Sequence, residues 1–102
     1  MSSTKPHLPL SDAELGKIAA NFRMLGEPMR LKILQSVCDG PRTVSEIVAA
    51  TGSTQANISK HLSLLAAADL LVRTKSGQSV YYRMKDGFSL KLCQLVREQW
   101  ID

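Results

Sequence analysis

Residues 43–68 constrain the fold more than any other part of this 102-residue chain. Thr43-Val44-Ser45-Glu46 sets a threonine and a glutamate three positions apart. That is the pattern of a capping box, in which each side chain bonds the other residue's backbone N–H and opens a helix. The helix is short, because Ile47, Val48 and Thr51 are followed at once by Gly52, which suits a left-handed cap. After a three-residue turn, a further helix is expected from near Thr54 to about Ala68. Ile58, His61, Leu62, Leu65 and Ala68 line one side of it at helical spacing. Gln55, Ala56, Ser59, Lys60 and Ser63 line the opposite side, which is small and polar with one base.

The flanking sequence completes the pattern. Ser11 and Glu14 form another capping box, and Leu15, Ile18, Ala19, Phe22 and Leu25 follow at helical spacing, so a first helix runs to about Leu25 and ends at Gly26. Pro28 suits the first turn of a second helix. Leu31, Leu34 and Cys38 share one of its faces, with Ile33 and Val37 beside them, before Asp39-Gly40-Pro41 stops it. After Ala68, Leu71–Lys75 and Ser79–Met84 read as two strands joined by Ser76-Gly77-Gln78. A last helix is expected over Phe88–Trp100. The fold class is therefore mainly α with a small β-hairpin, in the order α-α-α-α-β-β-α. Residues 1–10 read as a mobile tail and 11–102 as the domain. A glycine-capped helix, a tight turn and a helix with a small polar outer face make a helix-turn-helix, and a hairpin placed after it makes a wing. Small side chains let such a helix sink into a major groove, where large ones would hold it out.

Charge agrees with this pattern. The net charge is +4, and the whole excess lies between Ser53 and Lys85, where Lys60, Arg73, Lys75, Arg83 and Lys85 accompany a single acid, Asp69. Concentrated positive charge of this kind points to an anionic partner, nucleic acid first. Hydrophobic residues make up 44% and charged residues 22%, an ordinary globular balance. With no apolar run of membrane-spanning length, no signal-like start and only two cysteines, the expectation is a cytoplasmic protein with no membrane contact. Paired carboxylates, a Ser/His/Asp set and a Gly-rich phosphate loop are all missing, so no enzyme, no catalytic residue and no cofactor are expected. A winged helix serving only protein interaction is the alternative of another class. Such a helix would expose Leu, Met or aromatic residues where Gln55, Ser59, Lys60 and Ser63 stand.

Several stretches carry a family resemblance. LGEPMRLKIL (residues 25–34), S-K-H-L at Ser59 to Leu62, L-L-x-x-x-x-L-L at Leu64 to Leu71 and G-x-x-V-Y-Y at Gly77 to Tyr82 fall in one order. Together, over roughly residues 12–100, they resemble the ArsR/SmtB family of winged helix-turn-helix repressors. The resemblance implies a homodimer built on the first and last helices. It also implies a double-stranded DNA operator with an inverted repeat, and repression relieved by a chemical signal. Position by position it puts DNA contacts at Thr54, Gln55, Asn57, Ser59, Lys60 and His61. The helical wheel agrees for Gln55, Ser59 and Lys60, sets Asn57 on the flank and brings His61 nearer the core, as a hydrogen-bonded residue that orients the helix. Thr43 and Ser45 open a helix whose free N–H groups suit a phosphate. Arg73 and Lys75 of the wing reach phosphates beside the groove. The dimer surface is expected at Leu15, Ile18 and Phe22 with Leu92, Leu95 and Trp100. The apolar arc of the last helix is too wide for one small core, which supports the same surface.

The signal is less constrained. Residues 43–47 hold no C-x-C pair and residues 86–102 no histidine, so the family's usual metal-sensing patterns are missing and no metal site is expected. Cys38 and Cys93 remain. The family's sulfide- and redox-responsive branch places one cysteine on the second helix and one on the last. Cys38 and Cys93 follow that principle, a turn or two from that branch's positions. Three readings stay open: thiol oxidation or reactive sulfur, arsenite or zinc held by the same cysteines, and plain packing of two small apolar side chains with another signal entering elsewhere.

Overall fold

A computed structural model describes residues 9–101; the first eight of the ten residues expected to form a mobile tail lie outside the described part. The elements are α1 (Asp12–Leu25), α2 (Pro28–Ser36), β1 (Arg42–Thr43), α3 (Val44–Thr51), α4 (Gln55–Ala67), β2 (Leu71–Ser76), β3 (Ser79–Met84) and α5 (Phe88–Trp100). Both capping boxes form. Glu14 N–H donates to Ser11 Oγ at 3.1 Å and Ser11 N–H to Glu14 Oε1 at 2.9 Å. Thr43 and Glu46 make the same reciprocal pair at the start of α3. Gly52 ends α3 in the left-handed region at φ +74° and returns its N–H to Val48, a conformation that costs a residue with a Cβ about 1–2 kcal/mol.

The core lies where α2, α3, α4 and the base of the hairpin meet. Ile33, Leu34, Val37, Ile47, Ile58, Leu62, Leu65 and Leu71 are buried there, and Met24, Leu25, Tyr82 and Met84 pack against them. Six of these eight belong to α2, α3 and α4, so these three helices form the packed centre of the molecule. α1 buries no residue and α5 buries only Ser89, although both pack on α2.

Three details differ from the sequence expectation. The first is the end of α2, at Ser36 and not at Cys38. From Val37 onward the backbone N–H groups turn to the carbonyl three residues back, as Val37 to Leu34, Cys38 to Gln35 and Gly40 to Val37. Arg42 Nε then closes the helix end by donating to the Ser36 carbonyl at 2.6 Å. Cys38 therefore sits exposed on a turn instead of on an apolar helix face. The second is an extra strand: β1 pairs antiparallel with β3 (Arg42 with Tyr82, Thr43 with Tyr81), giving a three-stranded sheet in the order β1-β3-β2. The third is a tighter hairpin, with Ser76 paired to Ser79 and only Gly77 and Gln78 between them. Gly77 takes φ +63° at the first turn position, where a type II′ turn needs glycine.

Candidate nucleic-acid interface

α4 is held by its inner face and offers its outer face. Ile58, His61, Leu62 and Leu65 are buried, while Gln55, Ala56, Ser59, Lys60 and Ser63 are all exposed. Thr54 caps the helix, its hydroxyl accepting from Asn57 N–H at 3.1 Å. Asn57 sits half-buried on the flank and donates its side-chain amide to Ser53 Oγ at 2.9 Å, which fixes the turn into α4. The first turn of α4 carries no acid. Apart from the Thr54 cap on Asn57 N–H, no side chain of the helix's own first turn offsets the positive end of its dipole with a negative charge, a setting that suits a phosphate.

The start of α3 differs. Glu46 Oε1 accepts from Thr43 N–H at 2.8 Å and from Thr43 Oγ1 at 3.2 Å. The Thr43 backbone hydrogen bond, then its hydroxyl and nearby Arg42, hold the Glu46 carboxyl below the ordinary carboxylate range, although its slight burial works the other way. An ionised carboxylate occupies this helix start, so capping is the role the geometry gives Thr43. Ser45 is exposed beside it.

The wing supplies the other bases. Arg73 and Lys75 alternate along β2, opposite Tyr82 and Val80, so they share one sheet face, and both are exposed. Arg83 lies on the opposite face, paired with Val72 and also exposed. Lys85 is taken up by an ion pair with Asp69, the one non-glycine residue at positive φ among the described residues. The bases left free of a carboxylate between Ser53 and Met84 are Lys60, Arg73, Lys75 and Arg83, on α4 and the wing.

His61 does not join the exposed face. It is 6% exposed, and its Nδ1 accepts from Arg30 Nε at 3.2 Å. Burial, then the Arg30 and Lys60 charges, hold its imidazole below the usual histidine value against the opposing pull of Glu27. This buried, hydrogen-bonded placement is the one the helical wheel predicts for residue 61. Its partner Arg30 was invisible to sequence spacing, because 31 positions separate the two.

Cys38 and Cys93 line one groove of about 380 Å³ between α2 and α5, together with Leu31, Gln35, Leu90, Gln94 and Arg97. Cys93 is half-buried in α5. Among the described residues no three His, Cys, Asp or Glu side chains gather as ligands for a metal ion. No helix there is long and apolar enough to cross a membrane.

Comparison with known proteins decides the family. The profile of the bacterial regulatory proteins of the arsR family matches residues 27–72, which hold α2, the whole helix-turn-helix and the start of the wing. The transcriptional regulator NmtR of Mycobacterium tuberculosis is 30% identical over 82 residues, which cover 80% of this chain and 68% of NmtR. The chain belongs to the ArsR family of transcriptional regulators. Members of this family are DNA-binding regulators and not enzymes. The match to a second regulator, KmtR of M. tuberculosis, is 30% identical over 78 residues and spans 60% of that protein. Among solved structures, NolR from Sinorhizobium fredii superposes with a TM-score of 0.80 at 27% identity, over 92% of this chain and 97% of NolR. A homodimeric winged helix-turn-helix DNA-binding domain from Mycobacterium bovis, a possible ArsR-family regulator, gives 0.78 at 28% identity over 93% and 94%. The winged helix-turn-helix architecture of this ArsR-family chain is thus that of its neighbours.

Proposed function

We propose that this chain is a homodimeric repressor that binds an inverted-repeat operator and is released from it by chemistry at Cys38 and Cys93. The observation that carries the DNA reading is the outer face of α4. It is small, polar and exposed from Gln55 to Ser63, with an acid-free first turn and the wing bases Arg73 and Lys75 following in the chain. A surface built to grip a protein would expose large apolar groups there. Gln55 and Ser59 then read base edges, Lys60, Arg73 and Lys75 bind phosphates, Thr54 and Asn57 hold the register of the helix start, and His61 and Thr43 support from behind.

Lys60→Ala and Lys75→Ala are expected to weaken binding to every duplex. Each should reduce the slope of log affinity against log salt by about one if it loses one phosphate contact. Gln55→Ala is expected instead to relax base preference, by about 1–3 kcal/mol for a bidentate contact. Fluorescence anisotropy across a salt series, on a duplex selected by the protein from a random library and on its scrambled copy, separates the two effects. If all three variants lose the same factor on both duplexes with unchanged salt slopes, α4 and the wing are not the DNA surface.

The dimer reading is supported by apolar surface that one chain leaves open. Phe22 of α1 is 57% exposed, and Leu95 and Trp100 of α5 are 58% and 77% exposed. Leu15 and Ile18 lie on α1 and half-buried Leu92 on α5 beside them. Contiguous apolar surface of this kind marks an interface.

The signal reading is supported by the groove that Cys38 and Cys93 share, beside the Arg97 guanidinium. A disulfide oxidant takes two electrons from the two thiols and leaves as two thiols, each carrying one of the released protons. An inorganic polysulfide takes the same two electrons, keeps one or more of its sulfur atoms between the two cysteine sulfurs and releases the rest with the protons as hydrogen sulfide, and so bridges a wider gap than the Cα separation of roughly 4.4–6.8 Å that a direct disulfide needs. A bridge draws the turn after α2 toward α5 and shifts the paired recognition helices, whose spacing must match the groove repeat. A coupling of about 1–3 kcal/mol lowers operator affinity about 5- to 150-fold. Wild type, Cys38→Ser and Cys93→Ser are to be compared after disulfide, polysulfide, arsenite or zinc treatment, with intact mass read in parallel. Loss of binding with a mass change in wild type alone supports the thiol switch. Loss with arsenite or zinc only assigns the pair to a thiophilic cation. Serine variants that respond as wild type does, or a wild type indifferent to every reagent, would mean that the signal does not act through the cysteines.

A further inference from the structure

Among the described residues, Arg30 is the one side chain that hydrogen-bonds both of the helices that the proposed function depends on. Its Nη1 donates to the carbonyl of Met24, in the last turn of α1, at 3.3 Å, and its Nε donates to Nδ1 of His61, in α4, at 3.2 Å. Arg30 itself belongs to α2, whose Ile33 and Leu34 are fully buried, so the guanidinium is mounted on the packed centre of the fold. We propose that Arg30 is a positioning residue whose guanidinium ties the end of α1 to the recognition helix through Nδ1 of His61, so that the orientation of α4 follows that of α1. α1 carries the exposed Leu15, Ile18 and Phe22, so this clamp passes the geometry of the subunit interface to the DNA-reading helix. The proposal rests on the operator-binding dimer described above and adds the residue through which its two surfaces are coupled.

The chemistry fits a clamp better than passive packing. An imidazole that accepts at Nδ1 is neutral and carries its proton on Nε2. The planar guanidinium presents several donors in one fixed fork, which lets a single side chain satisfy two acceptors on different helices. A lysine at this place keeps the charge and the apolar stem but offers one compact donor group and loses that fork. Every buried polar side-chain atom among the described residues has a partner, so removing the Arg30 donor leaves the buried His61 imidazole acceptor without the one it has.

Two pairs of variants separate the clamp from packing. Arg30→Lys is expected to fold and to bind scrambled DNA as wild type does, because Lys60, Arg73 and Lys75 are untouched. Its affinity for the selected duplex is expected to fall about tenfold or more, the scale of a lost hydrogen bond to a charged donor. His61→Asn keeps an acceptor at the δ position and is expected to retain preference for the selected duplex, whereas His61→Leu, which keeps the bulk without the acceptor, is expected to lose it. Ring nitrogen shifts in the wild type, read by NMR without DNA, are expected to show the Nε2–H tautomer at His61, and Arg30→Lys to mix the tautomers.

A pH series adds a further readout. The groups facing the imidazole are Arg30 and Glu27 from α2 and its boundary and Lys60 from α4. The folded chain holds the His61 proton less tightly than the unfolded chain, whose imidazole has the ordinary value near 6.5. The stability from this site is therefore complete above that value and declines as pH falls below it, and His61→Leu is expected to remove that decline. A wild type with no preference for any selected duplex would overturn the operator reading itself. A wild type that discriminates, alongside Arg30→Lys or His61→Leu variants that discriminate equally well, would overturn the clamp alone.

Discussion

Ending the chain at Gly87 is expected to abolish the dimer and, with it, operator binding. α5 fully buries only Ser89 within its own chain, so much of its apolar surface stays open in the isolated subunit. Phe88, Leu95 and Trp100 stand exposed with Phe22 and Leu15 of α1. Removing α5 strips half of that surface and uncovers Leu31 and Leu25 in the groove beneath it. The expected product is a monomer or an insoluble chain. Leu95→Glu separates assembly from folding, because residue 95 is more than half exposed in the single chain and a glutamate there costs the monomer little. If Leu95 anchors the interface, dimer affinity falls by about 2 kcal/mol or more, roughly thirtyfold. Sedimentation velocity across a concentration series reads the change directly. A truncated chain that stays a folded, DNA-binding dimer would place the interface elsewhere.

Leu62→Ala is expected to be strongly destabilising, as is expected of any truncation among the fully buried Ile58, Leu62 and Leu65 of the recognition helix. Leu62 is 0% exposed and lies in the cluster with Ile33, Leu34, Ile47 and Leu65. Deleting a buried leucine side chain costs about 2–5 kcal/mol, from lost transfer energy and the cavity left behind. A domain of this size has about 5–15 kcal/mol in total, so the variant is expected to melt lower by at least about 10 °C. Ser63→Ala, one residue on and exposed, is expected to stay within about 0.5 kcal/mol. Thermal denaturation by circular dichroism compares the two. Equal melting temperatures would mean that the inner and outer faces of α4 are wrongly assigned.

What the sequence made legible was local. Thr43 with Glu46, Gly52 as a left-handed cap, and the two faces of α4 follow from side chains within a few positions of one another. So does the alternation that sets Arg73 and Lys75 on one face of β2. What it hid depends on distant partners. The apolar spacing of α2 continues to Cys38, but the backbone changes its hydrogen bonding at Val37 and Arg42 seals the end from six positions away. β1 is two residues long and exists because the edge of β3 accepts it. Arg30 and His61 meet only because α2 crosses α4. The start of α3, expected both to carry a capping box and to suit a phosphate, holds the Glu46 carboxylate on the N–H and hydroxyl of Thr43.

The central claim, that two copies of this chain read one inverted repeat, is tested most directly by titrating the purified full-length protein into a duplex selected from a random library and into a scrambled duplex of equal length, at physiological salt, with the stoichiometry read by native mass spectrometry. Two chains per selected duplex, bound about a thousandfold or more tighter than the scrambled one, is the expected result. One chain per duplex, or equal affinity for the two sequences, would contradict it.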